Sequence, residues 1–142
     1  MALGVRSNFQ AIYIRQGSNM EKKILLVEDE VITAMLMQKE LKDIGYPTVH
    51  HVTTGEKAIF FANKNPPDII LMDIRLAGEI DGIDAAEDIK AESDIPIIFI
   101  TGYDDKEIRE RSEKTKPIDF LIKPIDIIVL KTILDAYFDR VN

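Results

Sequence analysis

The sequence predicts an α/β fold in which a doubly wound, parallel sheet of five strands carries helices on both faces. Five apolar runs recur along the chain, with helix-like patterns between them. Four of these runs are continuously apolar, which is typical of parallel strands covered on both faces. Strands that alternate with helices favour right-handed crossovers and therefore an open sheet. The runs are ILLV (24–27), TVHHV (48–52), DIILM (68–72), IPIIFI (95–100) and DFLI (119–122).

The second run is the weak one and is predicted to be an edge strand. Val49 and Val52 flank two histidines there, so the run lacks the continuous apolar character of a buried strand. Pro96 stands near the start of the fourth run, where a missing backbone N–H is tolerated. The other three runs contain neither His nor Pro and fit strands as they stand.

Each helix is predicted from an apolar stripe and from residues that begin or end it. Asp81 predicts the N-terminus of a helix over 82–92, and Asp104 that of a helix over 105–114. Thr53 and Glu56 form a capping-box pair before another helix. The first helix, 30–44, and the last, 125–139, have their own stripes, and Gly45 ends the first. The stripe residues are Ala34, Met37, Leu41 and Ile44 in the first helix and Leu130, Ile133, Leu134 and Tyr137 in the last.

Length and composition exclude several classes of protein. The 142 residues predict one domain, and 18 basic against 25 acidic residues give a net charge of −7, which disfavours direct binding of nucleic acid. The absence of Cys excludes a disulfide scaffold and a thiolate zinc site. No apolar run approaches the roughly 18 residues of a membrane span, so we expect a soluble, cytoplasmic protein. Residues 1–20 fit no element and are expected to form a leader outside the fold, with the domain over 21–142.

Polar residues follow four of the predicted strands. Glu28 and Asp29 follow the first, Asp73 the third, Thr101 the fourth and Lys123 the fifth. In open α/β sheets ligands bind outside the carboxyl ends of the strands, so we expect these side chains to converge. The alternative is that the acids of the first strand end only cap the next helix, which accounts for one strand end but not for the others.

A cluster of three carboxylates requires a cation. Two carboxylates about 5 Å apart repel by about 3 kcal/mol at an effective dielectric near 20. Lys123 supplies one positive charge, and oxygen ligands with open positions favour Mg²⁺ for the rest. A carboxylate such as Asp73, beside Mg²⁺ and Lys, can attack phosphorus to form an acyl phosphate. The hydroxyl of Thr101 is a candidate hydrogen-bond donor to a phosphoryl oxygen.

Four of these motifs together resemble the receiver domain of two-component response regulators. The matching segments are KKILLVEDE (22–30), DIILMDIRL (68–76), IPIIFITG (95–102) and DFLIKP (119–124). The resemblance covers about residues 22–140. It implies a flavodoxin-like fold with strand order 2-1-3-4-5.

The resemblance also implies a role for each site residue. Asp73 matches the acceptor of a phosphoryl group from a phosphohistidine on a sensor histidine kinase or phosphotransfer protein. Asp29 matches a direct Mg²⁺ ligand, Glu28 its neighbour that acts through water, and Arg75 the residue whose backbone carbonyl completes the metal site. Such a domain is a signalling phospho-acceptor, limited to self-phosphorylation from a donor and slow autodephosphorylation, and not an enzyme in the ordinary sense.

The resemblance further implies a switch. Lys123 matches the lysine that contacts the phosphoryl group and precedes a typically cis peptide bond to Pro124. Thr101 matches a hydroxyl that moves toward the phosphoryl group, and Phe120 an aromatic residue that turns inward when it does. The helix 104–115 has one apolar anchor, Ile108, and a weakly held helix is free to move.

The output surface is predicted from the same segment of the chain. We expect the face made by helix 104–115, strand 117–122 and helix 125–139 to bind a downstream protein or a second copy. The last helix is more apolar over 125–130 than one buried stripe requires. Deep burial of that helix is the alternative explanation.

Two features depart from the family pattern. Ala77 stands where a Pro is common, and Gly82 comes nine residues after Asp73, one residue later than usual, so we expect the loop between Asp73 and Asp81 to take a different path. Arg75 and Tyr103 are bulky residues at positions that in the family influence how long the phosphoryl group survives. They are expected to shield it from water.

Other protein classes fit the residues less well. A phosphatase of the haloacid type and a nucleic-acid-cleaving Toprim-like domain both need a second acid where Arg75 stands. A flavin-binding module needs a Gly-rich, phosphate-binding loop after the first strand, where the chain reads EDEVIT. A receiver-like module that is never phosphorylated is opposed by the intact set of acids, Thr and Lys. Whether the chain acts alone or within a longer regulator stays open.

Overall fold

The computed structural model describes residues 21–141, and their side chains up to residue 139. Five strands alternate with five helices over Ile24–Val141. The strands are β1 (Ile24–Val27), β2 (Val49–Val52), β3 (Ile69–Asp73), β4 (Ile97–Thr101) and β5 (Asp119–Ile122). The helices are α1 (Val31–Asp43), α2 (Gly55–Lys64), α3 (Gly82–Glu92), α4 (Lys106–Lys114) and α5 (Ile127–Val141). The expected leader, 1–20, lies outside the described residues.

The five strands form one parallel sheet in the order β2-β1-β3-β4-β5, which confirms the predicted fold class. β2 lies at one edge, as its weak apolar pattern predicts. The register pairs Val27 with Met72, and Thr101 with Ile122. The residues that follow β1, β3 and β5 therefore meet at one end of the sheet.

The three central strands, β1, β3 and β4, bury both of their faces. Side chains alternate between the faces of a strand, so Leu25 and Val27 belong to one core and Ile24 and Leu26 to the other. α2 and α3 cover the first core, and α1 and α5 cover the second. The helix residues buried there are Ala58, Ala62, Ile83, Ala86 and Ile89 in the first core, and Ala34, Leu41, Leu130, Leu134 and Phe138 in the second.

Four helices begin at a different residue from the one predicted, and the first of them, α1, begins at Val31 rather than at 30. Thr54, not Thr53, caps α2, because its side chain reaches the N–H of Lys57 at 3.1 Å. Asp105, not Asp104, caps α4 and accepts the N–H of Ile108 at 2.8 Å. α5 begins at Ile127 rather than at 125, since Asp126 accepts the N–H of Ile128 at 2.9 Å.

The predicted bounds of α3 and the glycine that follows α1 are confirmed, whereas α1 ends at Asp43 rather than at 44 and α5 ends at Val141 rather than at 139. Asp81 caps α3 in a reciprocal capping box with Asp84. Gly45 follows the last residues of α1 with a φ of +106°, a conformation that glycine adopts without strain. Along the described residues, no helix combines the length and the apolar character that crossing a membrane requires.

Candidate functional site

Three carboxylates meet at the carboxyl end of the sheet. Glu28 and Asp29 directly follow β1, and Asp73 ends the neighbouring strand β3. One oxygen of each lies within 4.8 Å of the others. Glu28 and Asp73 are buried and Asp29 is half-buried. The convergence expected from the strand ends is therefore present in the fold.

The ammonium group of Lys123 bridges two of these carboxylates. Its Nζ lies 2.6 Å from Oε1 of Glu28 and 2.8 Å from Oδ2 of Asp73. The backbone N–H of Lys123 donates to the carbonyl of Thr101 at 2.8 Å, which fixes the start of its side chain. The peptide bond from Lys123 to Pro124 is cis, as expected. Burial lowers the pKa of Lys123, but the hydrogen bonds to Asp73 and Glu28 outweigh burial and raise it overall.

The three acids differ in how well the protein offsets their charge. Burial raises the pKa of Asp73 to about 6, although the hydrogen bond from Lys123 opposes this. Burial also raises the pKa of Glu28, but Lys123 and the N–H of Glu30 outweigh it and lower the pKa overall. Burial and the nearby Glu28 raise the pKa of Asp29. One lysine thus neutralises part of the cluster and leaves Asp29 and Asp73 undercompensated.

This donor set fits a hard divalent cation. The three candidate side-chain ligands are carboxylates, and Asp29 and Asp73 line a cleft of about 300 Å³ together with Arg75, Tyr103 and Lys123. Mg²⁺ binds through one or two carboxylates and keeps several open positions. The surplus negative charge and the open cleft are both consistent with such an ion.

The side chains of Thr101 and Phe120 contact residues other than the three acids. Thr101 is buried at the end of β4, and its Oγ1 accepts the backbone N–H of Tyr103 at 3.2 Å. Phe120 in β5 is half-buried, with its ring centroid 6.4 Å from that of Phe99. The hydroxyl of Thr101 therefore holds the loop that follows β4.

Two arginine–aromatic stacks near the cleft were not predicted from the sequence. The guanidinium of Arg75 lies 3.6 Å from the ring centroid of Tyr103, and that of Arg109 lies 4.1 Å from the ring centroid of Phe120. Both are within the range of favourable cation–π contacts. Arg75 and Tyr103 stand out in the sequence only as bulky neighbours of the site. Arg109 carries no sequence signal, because the contact joins a helix to a strand.

The loop between Asp73 and Gly82 closes tightly on the end of β3. A Cβ at Gly82 would lie 2.0 Å from the backbone oxygen of Asp73, so only glycine fits there. The N–H of Gly82 donates to the carbonyl of Ile74 at 2.7 Å. Glu56 holds the middle of the loop, since its Oε1 accepts the N–H groups of Glu79 and Ile80 at 3.2 Å each. The loop thus supports the backbone of Asp73 from outside the sheet.

Comparison with known proteins gives a consistent result. A profile of the response regulator receiver domain matches residues 24–135. The transcriptional regulatory protein PdtaR of Mycobacterium tuberculosis is 30% identical over 106 residues, which cover 75% of this chain and 51% of that protein. The chain spans about half the length of the first curated relatives it matches.

Solved structures of receiver domains are similar in both fold and sequence. The receiver domain of a sensor histidine kinase from Pseudomonas aeruginosa PAO1 is 33% identical, with a TM-score of 0.73 over 81% of this chain and 95% of that chain. That structure has a magnesium ion coordinated in its active site cleft. The signal receiver domain of a modulated diguanylate cyclase from Desulfovibrio desulfuricans G20 is also 33% identical, with a TM-score of 0.74 over 80% of this chain and 90% of that chain.

The close approach of Gly82 to Asp73 predicts that Gly82→Ala destabilises the protein strongly. The added methyl group would overlap the backbone oxygen of Asp73, and overpacking of this kind costs about 3 kcal/mol or more. Gly102→Ala is the matched control, because a Cβ there would meet no atom within 4 Å. Urea unfolding of both variants measures the difference. Equal free energies of unfolding would contradict the predicted constraint.

Proposed function

The chain belongs to the response regulator receiver domain family, and from this membership we propose that Asp73 accepts a phosphoryl group from a phosphohistidine on a sensor histidine kinase or phosphotransfer protein. Receiver domains are signalling phospho-acceptors rather than enzymes in the ordinary sense. The observation that carries the proposal is the bridging of Glu28 and Asp73 by Lys123 beside a cleft, at the carboxyl end of the sheet.

In the proposed transfer a carboxylate oxygen of Asp73 attacks phosphorus and forms an O–P bond. The P–N bond of the phosphohistidine, which is protonated on its other ring nitrogen, breaks, and the electron pair of that bond stays with the neutral imidazole that leaves. With a pKa of about 6, Asp73 is mainly ionised at neutral pH and available for attack. The ammonium of Lys123 is placed to contact the transferred group, where it offsets the charge on a phosphoryl oxygen.

We assign the Mg²⁺ ligands to Glu28, Asp29 and Asp73, with the backbone carbonyl of Arg75 as a further ligand. The convergent carboxylate oxygens support the first three. For Arg75, the support is its place in the family pattern and on the wall of the cleft. When bound, Mg²⁺ supplies the positive charge that stabilises the phosphoryl oxygens during transfer.

The proposed signal is a movement of Thr101 toward the phosphoryl group. Thr101 would give up its bond with the N–H of Tyr103, and the loop 102–105 would shift with it. α4 has few apolar anchors, since Ser112 is the buried residue among its described side chains and Ile108 is half-buried, and it is held to α3 mainly by the ion pairs of Arg111 with Asp81 and Asp84. Phe120 lies next to this helix and can follow the movement.

We propose that the face of α4, β5 and α5 is the output surface. Ile122 in β5 and Ile128 and Val129 in α5 are exposed although they are apolar. Exposed apolar side chains next to a mobile helix favour contact with a downstream protein or with a second copy of the chain. This part of the chain gives no support for binding of nucleic acid or membrane.

A second apolar surface lies beside the cleft, and no pattern in the sequence indicated that it is exposed. Ile32, Met35 and Leu36 of α1 are 84%, 61% and 58% exposed. Leu36 lines an apolar groove of about 430 Å³ between α1 and residues 123–127, and Ile32 and Met35 extend the exposed apolar surface on the same helix. Lys123 lines both this groove and the cleft of Asp73. Because the groove is continuous with the acceptor site, we assign it to the protein that donates the phosphoryl group.

The acceptor role predicts a phosphoryl adduct on Asp73. Incubation with acetyl phosphate and Mg²⁺ should add one phosphoryl group to the wild-type chain and none to Asp73→Asn, as measured by intact mass. Asp88→Asn, which removes an exposed carboxylate on α3, should behave as the wild type. An adduct on Asp73→Asn would contradict the assignment. A wild-type chain that forms no adduct with any donor would favour a receiver-like module that is not phosphorylated.

The stack of Arg75 on Tyr103 predicts a long-lived adduct. Both residues line the cleft, and together they restrict the approach of water to the phosphoryl group. Arg75→Ala and Tyr103→Ala should each shorten the half-life of the phosphorylated form by roughly two- to fivefold, the ratio expected from the loss of one cation–π contact. The loss of the adduct is followed by intact mass over time, with Asp88→Asn as the control. Unchanged half-lives in both variants would remove the shielding role.

The apolar surface of α1 predicts that one variant slows phosphoryl transfer from a protein donor but not from acetyl phosphate. Ile32→Ser combined with Met35→Ser should slow transfer from a protein donor by roughly tenfold, because buried apolar anchors carry much of the energy of an interface. The rate with acetyl phosphate should not change. Phe60→Ser, which alters a 63% exposed side chain on α2, is the control. Equal rates of transfer from the protein donor would place docking elsewhere.

A further inference from the structure

The loop 102–105 is tied to its surroundings by two arginines. Arg75 stacks on Tyr103, as described above. At the other end of the loop, Arg109 of α4 binds Asp104 through two bonds, from Nε to Oδ1 at 3.2 Å and from Nη2 to Oδ2 at 3.1 Å. A paired contact of this kind fixes the plane of the guanidinium as well as its position.

The same guanidinium lies against Phe120. The centre of the guanidinium is 4.1 Å from the centroid of the ring, and the ring also contacts the buried Phe99. Phe120 is half-buried, so part of its surface depends on Arg109 for cover. Arg109 thus joins two elements that are not bonded directly, the loop after β4 and the aromatic side chain of β5.

We propose that Arg109, oriented by Asp104, is a positioning residue that couples the loop 102–105 to Phe120. The loop begins immediately after Thr101, and a displacement of Thr101 displaces Asp104. The guanidinium then leaves its place on the ring, and Phe120 is free to take another position. This inference rests on the proposed function for its trigger, but the contact itself exists without phosphorylation.

A surface ion pair alone would not have this effect. The side chains of Arg109 and Asp104 are 39% and 44% exposed, and exposed pairs contribute little to stability. The distinguishing feature is that the guanidinium of Arg109 contacts both the carboxylate of Asp104 and the ring of Phe120. Lys106 offers a matched comparison, because it lies on the same helix, pairs with Glu110 at 4.0 Å and is 90% exposed.

The first measurement uses the unphosphorylated chain labelled with 4-fluorophenylalanine. The Phe120 resonance is assigned by its absence from Phe120→Leu. Arg109→Ala should shift this resonance and raise the population of an alternative ring position by about two- to fivefold, as the loss of a cation–π contact implies. Asp104→Asn should act in the same direction, and it should add nothing in the Arg109→Ala background. Lys106→Ala should leave the resonance unchanged.

The second measurement is the rate of adduct formation from acetyl phosphate with Mg²⁺. Arg109→Ala should react about two- to fivefold faster, since less free energy is needed to leave the resting arrangement. An unshifted Phe120 resonance in Arg109→Ala, or an equal shift in Lys106→Ala, would overturn the proposal. A shifted resonance with an unchanged rate would overturn the link to the reaction. If the wild-type chain forms no adduct, the proposed function fails, while the fluorine comparison still decides the role of Arg109.

Discussion

The ammonium of Lys123 holds two carboxylates at once, at 2.6 Å from Glu28 and 2.8 Å from Asp73, and the site depends on this contact. Without it, two nearly buried negative charges would lie side by side at the end of the sheet, an arrangement with a high cost in free energy. With it, the charge is only partly offset, because a third acid, Asp29, lies within the same 4.8 Å. The remaining negative charge is what makes the cleft attractive to a divalent cation.

The sheet determines where this contact forms. β1 and β3 are neighbours, so Glu28 and Asp73 emerge side by side, while Lys123 reaches them from β5, on the far side of β4. Its backbone N–H is bonded to Thr101, and a long, flexible side chain spans the remaining distance. Gly82 presses on the backbone of Asp73 from the other direction. The end of β3 is therefore constrained through its backbone, whereas the loop after β4 is held by the side chains of Arg75 and Arg109.

The sequence predicts the features that depend on pattern and misses those that depend on side-chain geometry. Apolar runs identify all five strands. The resemblance to receiver domains implies the order of the strands and the residues of the site. Helix starts are wrong by one residue at Thr53 and Asp104, because neighbouring polar residues compete for the same cap. Asp104 is then available to bind Arg109. The two arginine–aromatic stacks have no fixed spacing, since each joins separate elements.

The apolar surface of α1 was missed for a different reason. The periodic stripe identifies the buried side of the helix correctly at Ala34 and Leu41, but it does not explain the apolar residues that remain outside it. Exposed apolar residues of this kind do not destabilise the isolated domain, and their burial against another protein is favourable. Leu36 lines the groove that reaches Lys123, whereas Ile128 and Val129 are the exposed apolar residues of α5. In the proposed function, the cleft lies between the surface assigned to the phosphoryl donor and the surface assigned to the downstream partner, and the loop 102–105 would link the two.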